Sequence, residues 1–263
     1  MVRMVALDID GTLLPPGADV LALPDDDVKA AIQALQENNI VVVLATGRMY
    51  PGTHYIAQHL GIEQPLICQQ GASVHEADGR LRYGHAIEAE IAADLMRYAD
   101  MHNWPLAWFD HERYLVTADT PQSRFFAAVS QVPVEIHSAP QHSGIRATGI
   151  DIISNEADAR DVHVFLEARY GARITLLDFN SVTAVHAPQS SKGAAIAAMA
   201  ANLGIANSEV LAIGDGVNDV SMLAWAGHSA TPSHGDRHAC EAAKEVLATP
   251  GIAGVAEKLR SLL

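Results

Sequence analysis

The sequence predicts an α/β protein: a parallel-sheet core interrupted by an inserted α+β unit. Three observations carry this. The β-branched apolar runs MVALDI and NIVVVLAT flank a segment with apolar residues at helical spacing. That strand–helix–strand grammar stops near Gly84 and returns after Pro188. The stretch between is rich in aromatic residues and alternates helices with strand pairs of its own.

Taken in order, MVALDI and NIVVVLAT are nearly continuous apolar runs, as strands buried on both faces of a parallel sheet require. Between them, Val28, Ile32 and Leu35 form one helical face. TGRMYPGTHYIAQHLGI supplies a second helix stopped by Gly61, and QPLICQQGASVHEADGRLRY reads as strand, turn and hairpin around Asp78-Gly79. Within the insert, EAEIAADLMRYADMHN is a helix and WPLAWFDHERYLVTA a strand pair. TPQSRFFAAVSQ is a helix opened by Thr-Pro. GIRATGIDIIS reads as strand, EADARDVHVFLEARYG as a helix ended by Gly171, and ARITLLD and SVTAVHAP as two more strands. After Pro188, Ala195, Ala198, Met199 and Leu203 are the expected buried face of a helix. SEVLAIGDG is strand and loop, VSMLAWAG a short helix, HSATP an edge strand, and DRHACEAAKEVLA and GIAGVAEKLRSLL the last helices. The expected division is therefore a core from 1 to 84 and from 188 to 263, with the insert at 85–187.

The 263 residues carry a formal charge of −14 and are 49% hydrophobic, enough for a real core. The negative balance argues against nucleic acid, which is met by clustered Lys and Arg. Cys68 and Cys240 show no metal or redox spacing and read as free thiols. No apolar run approaches the ~20 residues of a membrane span, and Asp8 and Asp10 interrupt the apolar start, so a cytoplasmic protein without membrane contact is expected. An exposed edge of the insert's sheet leaves monomer and homodimer both open.

An open parallel sheet gathers ligands at the carboxyl ends of its strands. Asp8, Asp10, Thr46 and Asp215 all follow strands of this kind, and Asp219 shares the loop of Asp215. Asp8 and Asp10 are two apart, so an extended backbone points both the same way. Four carboxylates in one crevice repel and call for a cation, and hard oxygen donors favour Mg²⁺. Such a site suits phosphoryl transfer. Asp8 would attack phosphorus, and Asp10 would protonate the leaving oxygen and then activate water. Thr46 offers a hydroxyl, and Lys192, at a helix start, a positive charge.

These motifs resemble the haloacid-dehalogenase-like superfamily, and within it the Cof-type phosphatases. DIDGTL is similar to the first motif, LATGR to the second, SSKG to the third and GDGVNDVSML to the fourth, in order along nearly the whole core. The resemblance implies a Rossmann-like core with an α/β cap, Asp8 as nucleophile and Asp10 as acid/base. It implies Thr46, Gly47 and Arg48 at the phosphate, with Arg48 alternatively ion-paired, and Lys192 and Asn218 beside them. Mg²⁺ would be held by Asp8, Asp215, Asp219 and the backbone carbonyl of Asp10. The substrate implied is a small phosphorylated metabolite: a sugar phosphate, nucleotide or cofactor phosphate. The chain departs from the pattern at QQGA, where Gln70 replaces an asparagine, and at ATPSHGDRHAC, which carries His234 beside the site.

In the insert, Trp104, Trp108 and Phe109 are expected in its own core, with Trp108 or His111 as lesser substrate contacts. Arg113, Arg124 and Arg146 are candidates for a second anionic group. His54, His59 and His234 read as surface or capping residues. A phosphotransferase or mutase on the same scaffold is the alternative activity. A non-enzymatic phospho-acceptor domain is disfavoured, because its acceptor would sit on a later strand.

Overall fold

The computed structural model describes residues 1–263. The first part holds β1 (Met4–Leu7), α1 (Asp26–Glu37), β2 (Val41–Leu44), α2 (Tyr50–Leu60), β3 (Leu66–Cys68), β4 (Ser73–His75) and β5 (Leu81–Gly84). The middle holds α3 (Ala89–Met101), β6 (Leu106–Phe109), β7 (Tyr114–Val116), α4 (Pro121–Ser130), β8 (Val134–Ile136), β9 (Gly149–Ile153), α5 (Glu156–Tyr170), β10 (Thr175–Phe179) and β11 (Val182–His186). The last part holds α6 (Lys192–Asn202), β12 (Val210–Ile213), α7 (Val220–Trp225), β13 (His228–Thr231), α8 (Arg237–Ala242), β14 (Glu245–Val246) and α9 (Gly251–Arg260).

The core sheet is wholly parallel, in the order β14-β13-β12-β1-β2. Strand periodicity divides its side chains between two cores. Val5, Leu7, Val42 and Leu44 face α1, α2 and α9, while Met4, Ala6 and Val43 face α6 and α7. Both faces are covered, which is why these strands read as unbroken apolar runs. Asp25 caps α1 by accepting from the Val28 N–H at 2.9 Å, and the predicted face Val28, Ile32 and Leu35 is buried.

The middle segment builds its own six-stranded sheet, β10-β11-β9-β6-β7-β8, antiparallel except for the β7–β8 pair. Helix α4 packs Ala127 against Phe109, Tyr114 and Val116 of one face, and α3 and α5 cover the opposite one. There Leu106, Trp108, Ile150, Ile152 and Val185 pack with Ile91 and Leu95 of α3 and Val162 and Leu166 of α5. The other face looks towards the carboxyl ends of β1, β2 and β12.

Three local readings change. HSATP is not an edge strand: β13 pairs with β12 on one side and β14 on the other. The edge is the two-residue β14, inside the stretch that reads as one helix; α8 ends at Ala242, and the Glu245-Val246 pair joins the sheet. On α6 the buried face is Ala195, Ile196, Met199 and Ala200, with Ala198 and Leu203 exposed, because Lys192 at the helix start is itself turned inward and sets the phase.

Candidate active site

Three neighbouring strands deliver the site. The ladder of β1 continues one residue further, where the Asp8 N–H donates to the Ile213 carbonyl at 3.0 Å. Ala45 donates to the Leu7 carbonyl at 2.9 Å and Thr46 to the Ile67 carbonyl at 3.0 Å. Asp8, Thr46 and Asp215 therefore stand at adjacent strand ends. Gly11 turns the chain out of β1 at φ 84°, and a side chain there would collide with the Asp215 carboxylate. The residue that permits the turn also permits the two acidic loops to meet.

Asp8, Asp215 and Asp219 each bring a carboxylate oxygen within 4.8 Å of the others. Lys192, wholly buried at the first position of α6, donates to Asp8 Oδ1 and to Asp219 Oδ1, both at 2.6 Å. Asp219 Oδ2 accepts from the Asp215 and Gly216 N–H groups at 2.9 and 3.0 Å, which closes the acidic loop on itself. Thr12 donates its hydroxyl to Asp215 Oδ1 at 3.1 Å.

Burial pushes the Asp8 carboxyl well above the usual carboxylate range, and the charge of Asp219 adds to it while Lys192 opposes. Asp215 is pushed up to about 6 by burial and by Asp219, against the Thr12 hydrogen bond. Burial alone would lower the Lys192 ammonium, but Asp219 and Asp8 override it and raise it. Three carboxylates against one ammonium leave a formal charge of −2. An oxygen-only donor set of that charge fits a hard divalent cation such as Mg²⁺.

Asp10 takes a different environment. Arg48, 2% exposed, grips it with two bonds: Nε to Oδ2 at 2.8 Å and Nη2 to Oδ1 at 2.5 Å. The Asp10 side chain is 50% exposed and stands outside the group of three carboxylates. Of the two roles open to Arg48, the ion pair is the one observed.

Above these residues lies a cavity of about 610 Å³ between the core and the second sheet. Its floor includes Asp8, Asp10, Thr46, Gly47, Arg48, Gln70, Asp215 and Asn218. Lys192 and Asp219 form a layer beneath that floor and do not line it. Asn218 donates to Gln70 Oε1 at 3.1 Å, so the longer amide at this position meets the fourth motif. His234 has its Nε2 2.7 Å from the Gly11 carbonyl, a capping role on the first-motif loop.

The roof corrects two expectations. Arg113 and Arg124 are paired with Glu135 and Asp119, Arg146 stands apart, and none of the three lines the cavity. Long-range partners decide this, and they are invisible in a linear reading. Trp108 packs in the insert's core as expected and His111 lies outside the cavity, but Phe109, one residue on and therefore on the opposite face, lines it with Tyr114, Phe126 and Phe179. Sequence reasoning also missed Gln69, which donates to the Asp110 carbonyl at 2.5 Å and accepts from the Thr148 hydroxyl at 2.7 Å, tying the floor to the roof. The doubled glutamine was its only signal. Asp151 and His186 were missed as well, although one acid inside the apolar strand GIDII is a legible oddity.

Comparison with known proteins agrees with this geometry. The solved structure of a haloacid dehalogenase-like hydrolase from Bacillus subtilis superposes with a TM-score of 0.87 over 100% of both chains, at 23% identity. A subclass IIB sugar phosphatase superposes at 0.83, covering 99% of each chain at 19% identity. A phosphoglycolate phosphatase of Aeropyrum pernix is 27% identical over 270 residues, 100% of this chain and 94% of its own. A provisionally named phosphatase of Haemophilus influenzae is 26% identical over 230 residues, 86% of this chain and 83% of its own. The family model for haloacid dehalogenase-like hydrolases matches residues 5–259. Spanning the floor, the roof and both acidic loops, that match makes this chain a member of the haloacid dehalogenase-like hydrolase family.

Proposed function

We propose that the protein is a Mg²⁺-dependent phosphatase of small phosphorylated metabolites that works through an aspartyl-phosphate on Asp8. The observation that carries this is the convergence of Asp8, Asp215, Asp219 and Lys192 at the base of a roofed cavity. The phosphatase names of relatives support it. Asp8, Asp215, Asp219 and the Asp10 carbonyl would hold the cation, which supplies positive charge against the equatorial phosphoryl oxygens.

The chain's own residues then divide the work. An Asp8 oxygen attacks phosphorus while the bond to the ester oxygen breaks. Asp10 delivers its proton to that oxygen, and the alcohol leaves. Asp10, now ionised, takes a proton from water as the water attacks phosphorus, and the bond to Asp8 breaks to release phosphate. Lys192 stands 2.6 Å from Asp8 Oδ1, so a phosphoryl group carried on Asp8 falls within reach of its charge. Thr46 adds a hydroxyl from the floor. The inserted unit, taken as residues 85–187, would act as a cap that excludes water and touches the leaving group.

The test is hydrolysis of p-nitrophenyl phosphate with MgCl₂, an EDTA control and Asp8→Asn. Turnover that needs the metal and vanishes in the variant is the expected result; normal turnover by Asp8→Asn sinks the mechanism. ¹⁸O from water appearing in released phosphate separates hydrolysis from transfer to a second hydroxyl.

A further inference from the structure

The roof of the cavity carries an acceptor that nothing in the protein satisfies. Registry places Asp151 of β9 between Ala107 of β6 and Ala184 of β11, and Gly149 between Phe109 and His186. All of these share the face turned away from α3 and α5. A side chain at Gly149 would collide with Phe109, so the two large rings close in only because this position is bare. Asp151 is 8% exposed, lines the cavity, and its carboxylate has no hydrogen bond or ion pair within the protein. Its small neighbours leave it facing open space rather than packing against it.

His186 stands beside it. Its Nδ1 lies 2.9 Å from the Thr148 carbonyl, so this nitrogen carries the proton and Nε2 is left as an acceptor without a protein partner. Burial lowers the ring to about 4, so it is neutral at pH 7. No arginine of the inserted segment lines the cavity, and Arg48, on the floor, is committed to Asp10. Of the roof's other polar side chains, Tyr114, Gln122, Asn180 and Ser181 carry no charge, and Asp178 is a second carboxylate, paired with His163.

We propose that Asp151 selects the leaving group: the released alcohol carries an O–H or N–H donor that Asp151 accepts, and it carries no second phosphate or carboxylate. This rests on the reading of the site as a phosphatase. A second anion would meet Asp151 with no cation to balance it, whereas a hydroxyl or amine satisfies the empty acceptor. Phe109, Phe126 and Phe179 give the carbon skeleton an apolar wall. The requirement of a phosphoglycolate phosphatase, to take a carboxylate two carbons from phosphorus, is one this roof does not meet.

The experiment uses the full chain with MgCl₂ at pH 8.5, where the Asp151 carboxyl is ionised, and compares kcat/KM for glucose 6-phosphate and glucosamine 6-phosphate with that for phosphoglycolate and fructose 1,6-bisphosphate. The first pair is expected to exceed the second by tenfold or more. Asp151→Ala is expected to collapse that ratio, mainly by raising KM for the donor-bearing esters. Asp151→Asn, which keeps an acceptor oxygen and loses the charge, should retain turnover of the glucose ester and lose part of the discrimination against the doubly anionic esters. Equal or better turnover of the doubly anionic esters by the unaltered protein overturns the proposal, as does an unchanged ratio in Asp151→Ala. If p-nitrophenyl phosphate is not hydrolysed, the phosphatase reading fails, and equilibrium binding of the same esters to Asp8→Asn decides this one separately. Tighter binding of glucosamine 6-phosphate than of phosphoglycolate, abolished by adding Asp151→Ala, supports it; no difference overturns it.

Discussion

Arg48 grips Asp10 with two parallel bonds, its guanidinium buried and the carboxylate half open to the cavity. A two-pronged pair fixes direction as well as distance. Asp10 is thereby aimed at the place where a leaving oxygen would sit, without being drawn into the group of three carboxylates. Arg48→Ala should lower kcat by about 10²-fold, the scale of a misplaced catalytic group. Arg48→Lys should recover only part, because an ammonium cannot form the fork. Steady-state kinetics on p-nitrophenyl phosphate check both; equal kcat in all three proteins would remove Arg48 from any role in positioning.

The acidic floor predicts a metal effect that depends on pH. Burial and Asp219 hold Asp215 at about 6 and Asp8 higher than usual, so protons compete with a cation below neutrality. At pH 7.5, MgCl₂ at 100 times its dissociation constant should stabilise the fold by about 2.7 kcal/mol. At pH 5.5 the same concentration should raise Tm by clearly less, and EDTA should reverse both shifts. Thermal melts in the two buffers are the measurement.

Asp151 makes the opposite kind of statement about stability. Burial raises its carboxyl from 3.8 to about 7. For an acid raised on folding, the stabilisation is full below the unfolded value and is lost as pH climbs through the folded one. The window is therefore about pH 4 to 7, and the loss by pH 8 is on the order of 4 kcal/mol. The titratable groups lining the same cavity roof are Tyr114, raised by burial and so uncharged here, His186, neutral, and Asp178, paired with His163. Asp151→Asn should melt higher than the unaltered protein at pH 8 and lose most of that advantage by pH 5.

Gly11 offers a sharper structural test. Gly11→Ala places a methyl against the Asp215 carboxylate and asks a side-chain-bearing residue to hold φ 84°. The backbone cost alone is about 1–3 kcal/mol. We expect a lower Tm together with weaker Mg²⁺ stabilisation, because Asp215 must move. A lower Tm with undiminished Mg²⁺ response would show that the two loops are independent.

The floor of the site was legible because each residue is announced locally. Asp8 and Asp10 end an apolar strand, Lys192 opens a helix, and Asp215 follows VLAI at the next strand end. Parallel-sheet topology then forces these ends together, so little else had to be known. The roof was not legible for a corresponding reason. Whether Trp108 or Phe109 faces the cavity turns on a one-residue register, and the fate of Arg113 depends on Glu135 across the β7–β8 pair, where β8 itself carried no strong strand signal. The edge of the core sheet was misread because Glu245-Val246 is too short for its period to show.

Gln69 and Gln70 adopt left-handed backbone one after the other, at φ 50° and 60°, and so send their amides to opposite sides. One holds Asp110 and Thr148 overhead; the other accepts from Asn218 of the fourth-motif loop. Any separation of roof from floor would have to break both bonds of Gln69, the residue bonded directly to Gln70. Roof and floor are thus joined through one pair of adjacent residues, which also reaches the loop that carries Asp215 and Asp219.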